Sequence, residues 1–148
     1  MHLVLKFHRV SRKLHLRGFE FLAYLIYKFM RVFFSCDIKY SVEIGDDVKF
    51  YHNALGVVIH PNSIIGKGTA IYQNVTLGGN GKSGSKNNFP IIGNNVTICA
   101  GAVILGPVHI GDNSIIGANA VVNKNVKENT TVVGVPAKEI RKNTNDGL

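Results

Sequence analysis

The chain has 148 residues, 45% hydrophobic and 18% charged, the size and balance of one globular domain with an appendage. Its formal charge of +8 is unevenly placed: residues 1–31 carry Lys6, Arg9, Arg12, Lys13, Arg17, Lys28 and Arg31 against Glu20 alone, a segment suited to an anionic surface. No nucleic-acid-binding motif or aromatic-studded basic sheet accompanies the charge, which argues against nucleic acid. Two cysteines cannot form a disulfide framework, and a reducing cytoplasm is the expected compartment.

The first predicted element is helical. Apolar positions Leu14, Leu22, Leu25, Ile26, Phe29 and Phe33 leave helical gaps, so residues 10–34 predict one or two helices. From Phe19 to Phe34 the chain is apolar nearly all round, interrupted by Glu20, Lys28 and Arg31, and is too short and too charged for a membrane span. Basic residues spread through the stretch and no small-residue cleavage site follows, so a cleavable signal peptide is not expected. Two readings stay open for residues 1–34: a segment packed on the next domain or a neighbouring subunit, and an interfacial helix on the inner face of an anionic membrane.

A six-residue period then takes over. Ile44 and Phe50 begin it, Ile59, Ile65, Ile71 and Leu77 continue it, and Ile92, Ile98, Ile104, Ile110, Ile116 and Val122 complete it. Such a repeat fits neither a helix nor an open sheet, and it predicts a mainly β fold, a left-handed parallel β-helix in which three hexads form one triangular coil. Four residues after each ladder position stands a small or β-branched residue, as at Val48, Val75, Val96, Ala102 and Ala120. Gly45-Asp46-Asp47, Gly93-Asn94-Asn95 and Gly111-Asp112-Asn113 supply corners that need positive φ. Cys99, next to a ladder isoleucine, reads as a small coil residue and Cys36 as packing at the coil entrance. The expected organisation is an N-terminal helical segment over 1–35, a β-helix over 36–138 and a tail over 139–148.

The period breaks twice. Three extra residues between Phe50 and Ile59 bring in Tyr51-His52-Asn53-Ala54-Leu55-Gly56, and a glycine-rich polar stretch over 78–90 predicts an extruded loop. Loops leaving a rigid solenoid are where function concentrates. A histidine in such an insertion is a candidate general base.

With these residues in view the chain resembles the serine O-acetyltransferase branch of the hexapeptide-repeat acyltransferases. The resemblance rests on Asp37-Ile38, on His52 with Gly56-Val57-Val58-Ile59, and on Ile71-Tyr72-Gln73-Asn74-Val75-Thr76-Leu77-Gly78-Gly79. It rests further on Gly81-Lys82-Ser83-Gly84, Ala100-Gly101-Ala102, Ile116-Gly117-Ala118 and Gly134-Val135-Pro136-Ala137-Lys138. It covers about residues 36–142, and in shape it is closest to short members associated with surface-polysaccharide assembly. The resemblance implies that His52 takes the proton of an acceptor hydroxyl as it attacks a thioester. It implies that Asp37, rather than the corner-like Glu43, Asp46 or Asp47, orients the imidazole. It also implies a homotrimer with acetyl-CoA in a groove between subunits. Gly79, Ala100 and Ala118 would line the pantetheine channel, an amide near Gly79 would face the oxyanion, and Lys138 would face the nucleotide phosphates. Each of those small residues is equally what a tight coil wants.

Two departures bear on the acceptor. The family's long helical N-terminal domain is represented by only some 35 residues. Where the family places arginine and histidine before a proline to hold the amino acid's carboxylate, this chain has Asn88-Phe89-Pro90. Asn88 and Phe89 suit a sugar face better than a carboxylate, so the expected acceptor is a saccharide hydroxyl, with free serine as the alternative and Lys86 its one candidate cation. A non-catalytic trimeric scaffold is a further alternative, opposed by the presence of His52 and Asp37. His60 and His109 have no spacing of five with another histidine, so no metal site is expected; both read as exposed or corner residues.

Overall fold

A computed structural model describes residues 3–81 and 88–142. Two helices, α1 (Leu3–Leu16) and α2 (Glu20–Phe33), precede short strands. In chain order these are β1 (Asp37–Ile38), β2 (Glu43–Ile44), β3 (Lys49–Phe50), β4 (Val58–Ile59), β5 (Ile64–Ile65), β6 (Ala70–Ile71), β7 (Thr76–Gly79) and β8 (Pro90–Ile92). There follow β9 (Thr97–Ile98), β10 (Val103–Gly106), β11 (Val108–Ile110), β12 (Ile115–Ile116), β13 (Val121–Val122), β14 (Thr130–Val133) and β15 (Lys138–Lys142).

The strands form the three faces of a left-handed parallel β-helix. The first face is β1-β4-β7-β10-β13, the second β2-β5-β8-β11, and the third β3-β6-β9-β12-β14-β15. The hexad isoleucines sort into three interior columns. Ile38, Ile59, Leu77, Ile104 and Val122 stack on the first face. Ile44, Ile65, Ile92 and Ile110 stack on the second, and Phe50, Ile71, Ile98, Ile116 and Val132 on the third. All but the half-buried Ile44 are buried, and all join one continuous core.

Corners use the left-handed backbone as expected. Between the second and third faces Asp47, Gly68, Asn95, Asn113 and Asn129 all have φ between 53° and 68°. The asparagine side chains bond along the stack, Asn113 Nδ2 donating to Asn129 Oδ1 at 3.2 Å. Asp46 and Asp47 lie in this turn, whereas Glu43 opens strand β2 instead of forming a corner.

The helices form a hairpin reversed at Gly18 (φ 83°) and close the bottom of the coil. Val4, Leu5, Met30, Phe34 and Cys36 join the coil's core. Helix α1 is fastened by Arg9 to Asp46 at 2.6 Å, by Arg12 to the Ser41 carbonyl at 2.9 Å and by His8 Nε2 to the Lys39 carbonyl at 3.2 Å. Helical structure thus begins at Leu3 and not near residue 10. The period was hidden because two of the four buried positions of α1 are polar, His8 and Ser11. The other end also differs from expectation. Residues 139–142 of the segment read as a tail belong to β15, which runs antiparallel on β14 with Lys138 opposite Val133, and residues 143–148 lie outside the described residues.

The outward side of the hairpin remains apolar, with Phe21 71%, Val32 82% and Phe33 66% exposed. Among the described residues no helix is long and apolar enough to cross a membrane.

His8 makes stability depend on pH. Its ring is buried, and its Nδ1 has no hydrogen-bond partner among the described residues. Burial first, with Arg12 and Arg9 assisting against the Lys39 hydrogen bond, lowers its pKa to about 4 from 6.5. The unfolded chain therefore takes up the proton first. The stability contributed by the neutral ring is whole above about pH 6.5 and is lost as pH falls toward 4. The melting temperature should fall across that window, and His8→Gln should flatten the fall. An equal fall in wild type and variant would assign the pH dependence to other groups.

Candidate active site

The two breaks in the repeat emerge at different corners of the coil. Between the third and first faces the chain turns at 51–57, 72–75, 99–102 and 117–120, stacked through Asn74 N to Leu55 O (2.8 Å), Gly101 N to Gln73 O (3.0 Å) and Asn119 N to Ala100 O (2.9 Å). Gly56, Asn74, Gly101 and Asn119 have φ of 67°, 60°, 71° and 55°. A Cβ on Gly56 would strike Asn74 Oδ1, and one on Gly101 would strike Asn119 Oδ1. The corner is thereby kept narrow, with Ala100 half-buried and Ala118 exposed along it.

At its foot the first insertion folds as a single turn over Tyr51–Ala54 in which His52, Asn53 and Ala54 take φ of 51°, 53° and 58°. Three successive left-handed residues are unusual, and for a residue with a Cβ each costs roughly 1–2 kcal/mol. The turn is held by Leu55 N to His52 O at 3.1 Å, by buried Ala54, and by Tyr51 stacked on Tyr72 with ring centroids 4.4 Å apart. The result presents the His52 side chain to solvent.

Asp37 opens β1, its amide bonded to the Val57 carbonyl at 2.8 Å, so it lies on the rung beside the His52 turn. Its carboxylate is engaged by helix α2: the Tyr27 hydroxyl donates to Oδ1 at 2.7 Å and Arg31 Nη1 to Oδ2 at 2.8 Å, and Arg31 Nη1 also reaches the Tyr27 oxygen at 3.2 Å. Among the described residues no hydrogen bond joins Asp37 to His52. The sequence reading paired these two and missed Tyr27 and Arg31. The available signal was their spacing of four on one helix just before Asp37. Burial first, then the hydrogen bond to Asp37, pushes the Tyr27 phenol up, so it remains a donor.

Gly79, Asn88 and Phe89 lie at the other break, between the first and second faces. Residues 82–87, with Lys82, Lys86 and Asn87, lie outside the described residues. A Cβ on Gly79 would stand 2.8 Å from the Asn88 carbonyl oxygen, so this glycine makes room for the end of the loop. Asn88 Oδ1 accepts from the Asn80 amide at 3.0 Å and fastens the loop mouth. Phe89 lies parallel to His60, centroids 5.8 Å apart and planes 16° apart. With Ile64, Ile91, Pro107 and His109 it lines an open groove of about 430 Å³. His60, expected as an exposed or corner residue, stands half-buried at the corner after β4 with its ring beside Phe89.

One protomer therefore divides the expected site. His52, Asp37, Ala100 and Ala118 share one edge of the coil. Lys138 belongs to the same edge, since its neighbour Ala137 bonds through its amide to the Val121 carbonyl at 2.8 Å above that corner. Gly79, Asn88 and Phe89 share the opposite edge of the first face, across the four residues of β7, or about 13 Å. The channel that the resemblance implies runs between subunits, and within one protomer Gly79 stands a face away from Ala100 and Ala118.

Neither cysteine offers a thiolate near neutral pH. Burial, then the charge of Asp37, pushes Cys36 up to about 11, and burial raises Cys99. Among the described residues no three His, Cys, Asp or Glu side chains gather to hold a metal ion.

The fold and this narrow corner define a hexapeptide-repeat transferase. The family model for bacterial transferase hexapeptide, six repeats, matches residues 89–124. A serine acetyltransferase of Helicobacter pylori is 39% identical over 135 residues, covering 91% of this chain and 78% of that protein. The chain belongs to the serine acetyltransferase family. The serine acetyltransferase of Buchnera aphidicola is 43% identical, covering 97% of this chain and 56% of that protein. The crystal structure of Neisseria gonorrhoeae serine acetyltransferase superposes with a TM-score of 0.89 at 38% identity, over 95% of this chain and 53% of that one. Its complex with serine superposes at 0.86 and 37% identity, over 93% and 55%. A serine acetyltransferase complex with CoA gives 0.83 at 34%, again over 93% and 55%. The chain thus spans little more than half the length of several of these relatives.

Proposed function

We propose that this protein transfers an acetyl group from acetyl-CoA to the hydroxyl of L-serine. The observation that carries the reading is the strained turn that exposes His52 at the foot of a corner lined by small residues, in a chain whose relatives are serine acetyltransferases. In the proposed reaction the neutral imidazole of His52 accepts the hydroxyl proton as the oxygen attacks the thioester carbonyl carbon. The carbon–sulfur bond then breaks, and the CoA sulfur takes the proton back from the imidazolium. Asp37 accepts from the other ring nitrogen and fixes the tautomer once the His52 side chain turns toward it. The pantetheine arm runs along Ala100 and Ala118, whose small side chains leave the backbone accessible, toward Lys138 and its charge.

A second reading, transfer to a saccharide hydroxyl, is favoured by one observation. The place that would hold serine's carboxylate presents Phe89 on His60, an apolar shelf suited to a pyranose face. Release of CoA should be measured with L-serine beside a panel of sugars. His52→Ala should lower turnover about 10²–10⁴-fold with the preferred acceptor while acetyl-CoA still binds. Near-normal turnover by that variant would remove His52 from the mechanism. If only saccharides are acetylated, the second reading replaces the first, and Phe89→Ala should then raise the acceptor's KM more than that of acetyl-CoA.

The active assembly is proposed to be a homotrimer, because the two halves of the expected site stand on opposite edges of one face and a neighbour must bring them together. Gly79, Asn88 and Phe89 of one subunit would then face His52 of the next. Light scattering should give three times the protomer mass of 16.2 kDa; an active monomer would exclude a shared site.

We also propose that the compartment is the cytoplasm and that residues 1–34 contact its anionic membrane surface. The exposed apolar side of the hairpin and its basic residues support this reading. The full chain should bind vesicles containing anionic lipid better than neutral ones, and high salt should release it. Equal binding to both kinds of vesicle, or none, would leave the hairpin as a packing element.

A further inference from the structure

Helix α2 carries two side chains whose polar ends converge on Asp37. They lie four residues apart and therefore on one side of the helix. Tyr27 approaches one carboxylate oxygen at 2.7 Å and Arg31 the other at 2.8 Å, and the two are linked to each other at 3.2 Å. Tyr27 is itself braced edge-on against Tyr40, with ring centroids 6.4 Å apart. A stability role accounts poorly for this arrangement. The Arg31–Asp37 pair is 53% and 32% exposed, and pairs of that kind contribute about 0–1 kcal/mol. The helix is already fixed by buried Ala23 and Met30 and by Ser11 Oγ donating to the Ala23 carbonyl at 2.8 Å. The arrangement does something more specific. The terminal torsion of an aspartate is otherwise broad, and donors on both oxygens set it. Each oxygen keeps a second lone pair, so a clamped carboxylate can still accept from an imidazole N–H.

We propose that Tyr27 and Arg31 are positioning residues for catalysis, clamping the Asp37 carboxylate so that it can orient His52, and that the helical hairpin is in this way part of the active site. The inference rests on the proposed role of Asp37 and on no particular acceptor.

The test is a double-mutant cycle on the full chain, read as kcat and as KM for acetyl-CoA, with thermal melts of each variant. Asp37→Asn should lower kcat. Arg31→Gln and Tyr27→Phe should each lower kcat roughly tenfold, the scale of one hydrogen bond to a charged group, with KM for acetyl-CoA unchanged. Arg31→Lys should restore most of the loss. The Arg31→Gln change made on top of Asp37→Asn should cost nothing further, because its effect passes through the carboxylate. If Arg31→Gln leaves kcat at the wild-type level, or lowers it as much in the Asp37→Asn background as alone, the clamp is overturned while the role of Asp37 stands. If Asp37→Asn itself retains wild-type kcat, the proposed role of Asp37 fails and takes the clamp with it. Should Arg31→Gln prove unstable, Tyr27→Phe, which removes only a hydroxyl, decides alone: a kcat within twofold of wild type overturns the proposal.

Discussion

Everything in this molecule depends on the vertical register between coils. Backbone hydrogen bonds tie each rung to the one below, as from Val58 N to Val75 O and from Thr76 N to Ala102 O, and they place each inward residue on its own kind one rung away. Isoleucine on isoleucine fills the triangular interior at the inter-strand spacing of about 4.8 Å. A residue out of phase would turn an apolar side chain into solvent and a polar one into the core. That constraint leaves the strands almost no chemical freedom. Their outward residues lie flat on faces, and their inward residues are spoken for. Freedom remains at strand ends, corners and insertions, and both halves of the candidate site stand at such places.

The corners show how sequence chemistry and geometry meet. Between the third and first faces the left-handed position alternates glycine with asparagine, Gly56 below Asn74 and Gly101 below Asn119, and each asparagine oxygen occupies the space where a Cβ on the glycine below it would lie. The pattern makes one edge both tightly stacked and poor in side-chain bulk, the property a groove for an extended thiol arm needs. His52 stands at the foot of that edge because three extra residues cannot be absorbed by a rung. They are extruded as a left-handed turn, and the backbone strain of the turn is offset by its burial at Ala54 and the Tyr51–Tyr72 stack.

How much was legible in the sequence follows from which signals are periodic. The interior columns and the two breaks could be read directly, because phase is preserved over many hexads and its loss is abrupt. The start of the first helix could not, because His8 and Ser11 occupy buried positions and erase the apolar period; their polar atoms serve the Lys39 and Ala23 carbonyls instead. Strand β15 was missed for another reason. It pairs antiparallel on an edge and exposes Lys138, Glu139 and Ile140, so it carries no hexad signal. The candidate site is legible as residues and not as geometry. Residue type and family likeness name His52, Asp37 and the alanines as candidates, but the hexad period does not say which corner each occupies or that Gly79 stands a face away from the alanines. The partners of Asp37 are invisible in the sequence because Arg31 only interrupts an apolar stretch and Tyr27 is part of it.

A coil of stacked rungs has an open end where interior side chains would meet water, and Val4, Leu5, Met30 and Phe34 close it. Closing the first coil necessarily brings the polar side of α2 against β1, the strand that Asp37 opens. The same packing that buries Met30 therefore sets Tyr27 and Arg31, three residues before it and one after, within reach of the carboxylate. Only the opposite side of the hairpin is left uncovered, with Phe21 and Val32 exposed and Phe33 exposed beside Phe29 and Phe34. Apolar area of that kind is unusual on an isolated soluble surface. The hairpin thus couples three tasks on one element: its inner side seals the core, one edge holds the proposed orienting carboxylate, and its outer side offers a surface for contact. A change that tilts α2 to satisfy one of these tasks must alter the other two.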